Sequence, residues 1–372
     1  MNTGIIFVDK QFQKNLAHQR ILDKNLIDYT IDHLKKAGSD KIIIISQNEY
    51  QHADAKWLNN VKELYSEIND SYGKLIITGV NYLNIDTDIY SSLYRSVSKA
   101  CVVVNDGKAL NIFALDSELL KDYEGLEYES FNISKDDLLE VNDVEDVIVA
   151  SEKMRQDINM FHLQNGISFI DINSTYIGED VKISKGVIIY PDTYLEGNSQ
   201  IGENTIITAG SHLINAIVGK NCKILSSRIS DSILHDNISL GPYSHIRMGA
   251  EVMDNCRIGN FVEFKKTTFG RLSRSAHLTY LGDCEVGEDV NIGCGVITAN
   301  YDGAHKFKTT IKDRAFIGSN SNLIAPVTVG ECALVAAGST ITKDVEDGAM
   351  AIARQRQEIK PEFGFKYINK EK

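Results

Sequence analysis

The residues best suited to chemistry lie between positions 247 and 301, where basic, imidazole, phenol and amide side chains are concentrated. They are Arg247, Lys265, Lys266, His277, Tyr280, Asn291, Asn300 and Tyr301. Basic side chains that lie near one another hold phosphates through charge-assisted hydrogen bonds. An imidazole titrates near neutral pH, so His277 is a candidate general base. The segment therefore predicts a site that binds an anionic substrate and accepts a proton from it.

Each of these side chains also has a purely structural explanation. A single histidine in a repetitive fold is more often exposed or hydrogen-bonded than catalytic. Lys265 and Lys266 can form a solvated pair, and Tyr301 can pack its own loop. Asn291 and Asn300 are at home in turns, because Asn tolerates a left-handed φ. Spacing alone leaves both explanations open.

The elements that must position these residues are defined by an aliphatic residue at every sixth position. A period of six fits neither an α-helix nor one long alternating strand. It fits a coil with three short sides whose aliphatic residues point inward, which is a parallel β-helix of the usually left-handed hexapeptide class. Glycine follows several inward residues, as in Ile201-Gly202 and Ile258-Gly259, where its conformational freedom would suit a turn. The inward positions are Ile177, Ile183, Ile189, Leu195, Ile201, Ile207, Leu213, Leu240, Ile246, Val252, Ile258, Ile311, Ile317, Leu323, Val329, Val335 and Ile341.

One insertion interrupts this period, between Ile297 and Thr309. Its sequence, TANYDGAHKFKT, is polar, aromatic and basic. Insertions into a regular solenoid usually project from one face and bind ligands. We therefore expect the insertion to form part of the site.

The N-terminal part of the chain follows an α/β pattern, in which short aliphatic strands alternate with helical stretches. Strands are predicted at Ile5–Val8, Lys41–Ser46, Leu75–Val80 and Cys101–Val104, and helices at Asn25–Ala37 and Val144–Asn165. The segment KIIIIS is typical of a fully buried parallel strand. These patterns predict an α/β domain at 1–145, a connecting helix at 146–168, a β-helix at 169–356 and a C-terminal tail at 357–372.

Composition limits the classes of function. The chain of 372 residues has a net charge of −12, which argues against nucleic acid or an anionic membrane as the main partner. No apolar run approaches the ~18 residues of a membrane helix, and the short apolar run in MNTGIIFVDKQ is not what we expect of a signal peptide. The six cysteines contain no CxxC pair, so neither a zinc knuckle nor a disulfide framework is indicated. We expect a cytoplasmic protein without membrane insertion.

Several longer motifs resemble one known family. They are GPYSHIRMGAEV, GNFVEFKK, SAHLTYLGD, VNIGCG, ITANYDGAHKFKT, IGSN, LIAPVTVG and AAGSTITKDV. They are similar to the acetyltransferase domain of the bacterial bifunctional glucosamine-1-phosphate N-acetyltransferase and N-acetylglucosamine-1-phosphate uridyltransferase. The resemblance covers roughly residues 170 to 356 and runs without gaps from Arg247 to Arg354. Runs such as HLTYLGD are much more specific than a hexapeptide repeat.

The resemblance implies a role for each matching residue. His277 matches the catalytic base, Arg247 and Lys265 match residues that hold the sugar phosphate, and Tyr280 and Asn291 match further sugar contacts. Acetyl-CoA contacts are implied at Cys294, Asn300, Tyr301, Ser319, Ala337 and Arg354. The family has Ala where this chain has Cys294, which a backbone contact would tolerate. Acetyl-CoA is then the co-substrate, no metal is needed for acetyl transfer, and a homotrimer with sites between subunits is implied.

The N-terminal domain departs from the family. The family's Gly-rich LAAGxGTRM-type loop grips the nucleotide triphosphate, whereas this chain has no glycine between Ile5 and Ala37. No Gly-Thr-Gly-His-like segment and no metal-binding Gly-Asp-x-Pro follows, and Asp9 at a strand end is more often a turn residue than a metal ligand. Yet the segment from Gln19 to Ser46 still resembles nucleotidyltransferases. These features predict a degenerate nucleotidyltransferase-like, Rossmann-like domain that has lost uridyl transfer.

The sequence therefore supports three hypotheses. The leading one is acetyl-CoA-dependent N-acetylation of glucosamine-1-phosphate in UDP-N-acetylglucosamine biosynthesis. A second keeps acetyl transfer but uses another amino sugar phosphate or a sugar nucleotide as acceptor. A third makes the chain a regulatory protein that binds a nucleotide sugar. Carbonic anhydrases with this β-helix need three convergent histidines, for which His235, His245, His277 and His305 lack the spacing.

Overall fold

The computed structural model describes residues 1–8, 16–47, 49–68, 73–135 and 138–365, with side chains except at 122–124. Residues 9–15, which follow the first strand, lie outside these ranges. They include Asp9 and the position where the family has its Gly-rich loop. Contacts divide the chain into two compact units, Met1–Ile158 and Asn159–Lys372. The domain boundaries predicted at 145, 168 and 356 remain a proposal.

The N-terminal unit is built around a seven-stranded mixed sheet. The strands of the whole unit are β1 (Thr3–Phe7), β2 (Arg20–Ile21), β3 (Lys24–Asn25), β4 (Lys41–Ile45), β5 (Lys56–Leu58), β6 (Lys74–Gly79), β7 (Ala100–Asn105), β8 (Lys108–Asp116) and β9 (Glu129–Ile133). Its helices are α1 (Leu26–Lys36), α2 (Val61–Ile68), α3 (Thr87–Arg95), the 3₁₀ turn Ser117–Gly125, and α4 (Val144–Gln164), which continues into the second unit. The sheet order is β5-β4-β1-β6-β8-β7-β9, while β2 and β3 form a separate hairpin.

The predicted α/β architecture is confirmed. Strand β4 pairs in parallel with both β1 and β5, and Ile42 to Ile45 are buried, as KIIIIS predicts. Helix α1 begins after Asn25, whose side chain forms a capping box with Asp28. Strand β8 was not predicted from the sequence, and it pairs antiparallel with β6 and β7. None of the helices within the described ranges is long and apolar enough to cross a bilayer.

The C-terminal unit is a parallel β-helix with three faces. The first face contains Ser168–Phe169, Ile188–Ile189, Ile206–Ile207, Lys223–Ile224, Ser239–Leu240, Asn291–Ile292, Phe316–Ile317, Leu334–Val335 and Met350–Ala351. The second face contains Thr175–Ile177, Thr193–Glu196, His212–Ile214, Arg228–Ser230, His245–Arg247, Ile297–Ala299, Asn322–Ile324 and Thr340–Ile341. The third face contains Lys182–Ile183, Gln200–Ile201, Ile217–Val218, Ile233–Leu234, Glu251–Val252, Thr268–Phe269, Cys284–Val286, Thr309–Ile311 and Val327–Val329.

Two strands of nine residues run from the first face to the second without a break. They are Arg257–Lys265 and Arg274–Gly282, and they pair in register over most of their length. His277 lies in the middle of the second one, opposite Asn260 of the first. The long strands therefore fix the segment that carries the candidate base.

The six-residue period is confirmed by burial. Every predicted inward residue is buried except Ile183, which is partly exposed in an early coil. The predicted reason for the glycines was wrong, because Gly202, Gly259 and Gly318 do not have a left-handed φ. A Cβ on Gly259 would stand 1.8 Å from the carbonyl oxygen of Ala276 in the next coil. These glycines are needed because adjacent coils approach closely there.

Left-handed φ values occur instead at the other corner positions, mainly at Asn, Asp and Gly. Asn204, Asn221 and Asn255 are examples. Asn291 and Asn300 are not among these residues, so the turn explanation offered for them is wrong.

Candidate functional site

Four of the predicted site residues stack along one corner of the β-helix, between the first and second faces. Arg274 and Ser275 pair with Asn291 and Ile292, and Asn291 and Ile292 pair with Phe316 and Ile317. In the next coil, Phe316 and Ile317 pair with Leu334 and Val335. The residues two positions after Ser275, Ile292, Ile317 and Val335 are therefore aligned, one from each coil. We call the resulting row the His277 corner: His277, Cys294, Ser319 and Ala337.

Hydrogen bonds between coils fix the His277 corner. The backbone N–H of Asn320 donates to the carbonyl oxygen of Cys294 at 2.7 Å, and that of Gly338 donates to Ser319 at 2.9 Å. All four residues of the corner are exposed. An extended ligand can therefore lie along the corner, with the imidazole at one end.

The residue after His277 has a backbone conformation that is unusual for its type. Leu278 has φ 35°, and the equivalent residues of the two preceding coils, Phe261 and Tyr243, have φ 56° and 60°. Bulky residues rarely adopt such values, and here the conformation recurs at the same corner in successive coils. Here the conformation turns the chain sharply after His277, so that the imidazole projects from the corner instead of packing into a face.

A second group of predicted residues lies on the second face. Arg247 and Lys265 are direct neighbours in adjacent coils. The Arg247 guanidinium donates to the Glu263 carboxylate through Nε at 2.8 Å and lies within 2.6 Å of it through Nη2. The Lys265 side chain is buried, and its Nζ lies 3.7 Å from the Asp283 carboxylate. Glu263 and Asp283 thus hold the two cations in position for an anion.

Lys306 completes this group, and the sequence prediction did not include it. The insertion folds as a small hairpin in which Tyr301 forms an antiparallel bridge with Lys306. The neighbouring Lys306 side chain, followed by burial, lowers the pKa of the Lys265 ammonium against the opposing effect of Asp283. A depressed lysine pKa in a cationic cluster marks a place where a bound anion would be strongly favoured. The basic character of the insertion was the available signal for Lys306.

The remaining predicted residues lie around these two groups. Tyr280 is the cross-strand neighbour of Glu263, and burial, followed by that carboxylate, raises the pKa of its phenol, which therefore stays a neutral donor. Asn300 is buried and donates through Nδ2 to Asp283 at 2.5 Å, so within one chain it joins the Lys265 group. Tyr301 is exposed, with its hydroxyl on the carbonyl oxygen of Gly303.

Asn291 and Arg354 lie away from the Lys265 group. Asn291 is on the first face, between Arg274 and Phe316, one coil beyond the segment of His277. Arg354 is exposed and passes beside Gly338, at the end of the His277 corner. Lys266, also singled out in the sequence, is exposed with φ 48°. Within one chain the residues thus form one group along the His277 corner and a second group on the second face, and their individual roles remain predictions.

The cysteines differ in accessibility. Cys101, Cys222, Cys256 and Cys284 are buried, and desolvation raises the pKa of Cys222 to about 11 and that of Cys256 to about 12. Cys294 and Cys332 are exposed. In the described ranges no three His, Cys, Asp or Glu side chains are grouped to hold a metal ion.

The C-terminal unit thus has the three-faced parallel β-helix of hexapeptide-repeat proteins. The family described as bacterial transferase hexapeptide (six repeats) matches residues 308–343. The Bifunctional protein GlmU of Shouchella clausii (strain KSM-K16) is 50% identical over 223 residues, which are 60% of this chain and 49% of that protein. That of Clostridioides difficile (strain 630) is 43% identical over 279 residues, which are 74% of this chain and 61% of that protein. The resemblance drawn from the motifs is therefore confirmed.

The chain spans about half to three fifths of the length of these curated relatives. The 279 matched residues exceed the length of Asn159–Lys372, so the similarity extends into the N-terminal unit. Among solved structures, the UDP-N-acetylglucosamine acyltransferase of Francisella novicida covers 48% of this chain and 65% of its own, at 22% identity and a TM-score of 0.30.

Proposed function

We propose that the protein transfers the acetyl group of acetyl-CoA to the amine of glucosamine-1-phosphate, in the biosynthesis of UDP-N-acetylglucosamine. The observation that carries this proposal is the placement of His277 and Tyr280 on one strand. His277 heads a row of exposed small residues, and Tyr280 adjoins a cluster of cations. The row suits a long thin cofactor arm, and the cluster suits a phosphate.

The phosphate of the acceptor is bound by Arg247, Lys265 and Lys306. Glu263 holds the Arg247 guanidinium through two contacts, so little side-chain freedom is lost when the ligand binds. A phosphate between these cations relieves the repulsion between Lys265 and Lys306. Fixing the phosphate orients the sugar, so that its 2-amine arrives in a reactive position.

His277 acts on the amine. The nucleophile must be unprotonated to add to the thioester carbonyl, and the imidazole accepts a proton as the C–N bond forms. The ring of His277 has no hydrogen-bond partner among the described residues, so it is available to the acceptor. General base catalysis of this kind contributes roughly 10²–10⁴ in rate. Collapse of the tetrahedral intermediate then expels the CoA thiolate, which takes up a proton.

The oxyanion of this intermediate is stabilised by the backbone N–H of Cys294. Within the described residues this N–H has no hydrogen-bond partner, although the carbonyl oxygen of Cys294 accepts from Asn320. Cys294 also follows His277 in the adjacent coil of the corner. A preorganised donor of this kind is typically worth about 10²–10³ in turnover. The contact uses the backbone, so a thiol in place of a methyl group is tolerated.

The complete site combines residues of two or more subunits, in a homotrimer. Asn300 and Tyr301, which the resemblance assigns to acetyl-CoA, lie with the Lys265 group in one chain, and Ser319 and Ala337 lie on the His277 corner. One cofactor reaches both sets if the insertion of one subunit meets the corner of the next. The proposed partners are therefore further copies of this chain, and neither nucleic acid nor a membrane is required.

The N-terminal unit no longer transfers uridyl groups in this proposal. A cavity of about 450 Å³ lies at the carboxyl ends of β1 and β6, where parallel sheets bind ligands. Phe7, Gly79, Asn81, Asn111 and Glu140 are among its described lining residues, and none of that lining is basic. Together with the absence of glycine from the sequence after β1, this lining offers little hold for a triphosphate.

Paired assays on the full chain test both halves of the proposal. One follows thiol release from acetyl-CoA with glucosamine-1-phosphate, and the other follows pyrophosphate release from UTP with N-acetylglucosamine-1-phosphate. We expect thiol release without pyrophosphate. Pyrophosphate release would overturn the assignment of the N-terminal unit, and thiol release only with a different amino sugar would overturn the acceptor.

A further inference from the structure

Next to the Arg247–Lys265 pair, the second face carries another cation that the proposed reaction does not use. Arg228 and His245 are direct cross-strand neighbours, and Ser230 is the neighbour of Arg247. Arg228 is exposed, and no carboxylate in the described part of the chain forms an ion pair with it. The nearby acids are occupied, since Glu263 holds Arg247 and Glu196 lies 3.1 Å from His212.

His245 separates Arg228 from Glu263 along the same row. Burial lowers the pKa of its imidazole, Glu263 raises it, and Arg247 and Arg228 lower it further. The patch thus contains three basic side chains, Arg228, His245 and Arg247, and one carboxylate, Glu263, which already pairs with Arg247. Among the residues that the structure describes, the Arg228 guanidinium and the Ser230 hydroxyl have no side-chain partner. Together with the half-buried imidazole of His245, they form a set of donors that suits a phosphate.

This patch is continuous with the proposed phosphate site. Adjacent coils lie about 4.8 Å apart, and neighbouring outward positions on one strand are about 6.6 Å apart. Arg228 is therefore within about 8 Å of Arg247 at the backbone, and both side chains are long enough to approach two linked phosphates. Ser230 lies between them, in the same strand as Arg228 and in register with Arg247.

We propose that Arg228, Ser230 and His245 form a second phosphate subsite, so that the acceptor pocket takes a hexosamine whose anomeric substituent is a diphosphate. The ligand class is a nucleoside diphosphate sugar, bound with one phosphate at Arg247 and Lys265 and the other at Arg228. This inference rests on the proposed function only for the orientation of the sugar. The binding itself involves no catalytic step.

Calorimetric titration of the full chain without acetyl-CoA tests the subsite. The probes are UDP-N-acetylglucosamine, N-acetylglucosamine-1-phosphate and CoA, of which the first and last carry a diphosphate. We expect the sugar nucleotide to bind about tenfold more tightly than the sugar monophosphate, the value of one charge-assisted contact. Arg228→Gln should remove this advantage and leave the monophosphate affinity within about twofold.

Arg257→Gln is the matched control, because Arg257 is an exposed arginine on the first face of the same β-helix, and its loss changes the net charge equally. Ser230→Ala provides a second variant that leaves the charge unchanged and should weaken sugar nucleotide binding severalfold. If Arg228→Gln leaves sugar nucleotide binding unchanged, the ligand binds elsewhere and the subsite is wrong. Equal losses for both sugars, or a loss for CoA alone, would also overturn it. Absence of thiol release with these affinities intact would instead contradict only the proposed function.

Discussion

The two units of this chain differ in how their side chains acquire neighbours. In the β-helix, each coil repeats the one before it, so the register brings Arg247 to Lys265 and Glu263 to Tyr280 directly. In the N-terminal unit, the strands of the sheet are joined by connections whose sequences follow no period. Periodicity therefore makes a site readable from the sequence, whereas an α/β edge needs its loop residues to be recognised one by one.

The largest expected effect is on the candidate base. His277→Ala should lower turnover of thiol release by roughly 10²–10⁴, because the amine loses its proton acceptor. His235→Ala is the matched control, since that ring pairs with Glu251 on the third face at 2.9 Å. Glu140→Gln in the N-terminal cavity should leave acetyl transfer unchanged. Similar losses in the His277 and Glu140 variants would contradict the division of roles between the units.

The next effect concerns the close approach of coils. Gly259→Ala places a Cβ against the carbonyl oxygen of Ala276 and should destabilise the β-helix by about 1–3 kcal/mol, as overpacking does. Gly125 in the N-terminal unit has open space around it and an ordinary φ. The melting temperature of the Gly125→Ala variant should therefore stay near that of the parent chain. Thermal denaturation followed by circular dichroism compares the two. An unchanged melting temperature for Gly259→Ala would show that the coils can separate locally.

A third effect sharpens the assignment of the phosphate site. The pKa of Lys265 is lowered in the free protein and rises when an anion binds, so affinity is greatest where Lys265 is protonated and falls as pH rises through the lowered pKa. Lys306→Ala should weaken acceptor binding about tenfold and move this alkaline limb to higher pH, because the main cause of the lowering is gone. The pH dependence of KM for the acceptor measures both the loss of affinity and the position of the alkaline limb. A limb that does not move would separate Lys306 from Lys265.

The smallest effect is expected at Cys294. Cys294→Ala restores the residue of the family and should change turnover by less than about twofold, because the proposed contact is made by the backbone. Alkylation should label Cys294 and Cys332 in the native protein and spare the buried Cys101. CoA should protect Cys294 and leave Cys332 reactive. Equal protection of both thiols would place the cofactor away from the His277 corner.

Much of the fold follows from the sequence for specific reasons. Each inward aliphatic residue is spaced by the side of a triangular coil, so burial of Ile189 or Leu213 could be predicted without any neighbour being known. The aliphatic run of β4 was an equally local signal. Strand β8 was missed because its pairing is antiparallel and its sequence, KALNIFALD, has no clean period. The predicted alternation of strands and helices gave no reason to expect a strand that directly follows β7.

The site was predictable in kind and less so in arrangement. The hexad register would align His277, Cys294, Ser319 and Ala337, but only once the length of the insertion was known. Lys306 escaped because a hairpin brings it back towards Lys265, and hairpin geometry does not follow from a six-residue period. The sequence analysis attributed the glycines to backbone freedom at a turn, whereas the structure shows that they allow adjacent coils to approach closely. The sequence of one repeat does not reveal how close the next coil lies.

The coils of the β-helix are stacked in single file, and this has a consequence for where the protein opens first. Within one chain of such a one-dimensional stack, each coil is held by its two neighbouring coils, so opening starts at the ends and spreads inward. The segment from Arg247 to Tyr301 has coils on both sides of it. Amide hydrogens of the strands Arg257–Lys265 and Arg274–Gly282 should therefore be among the last to exchange. The residues proposed to do chemistry would stay assembled while the terminal coils fray.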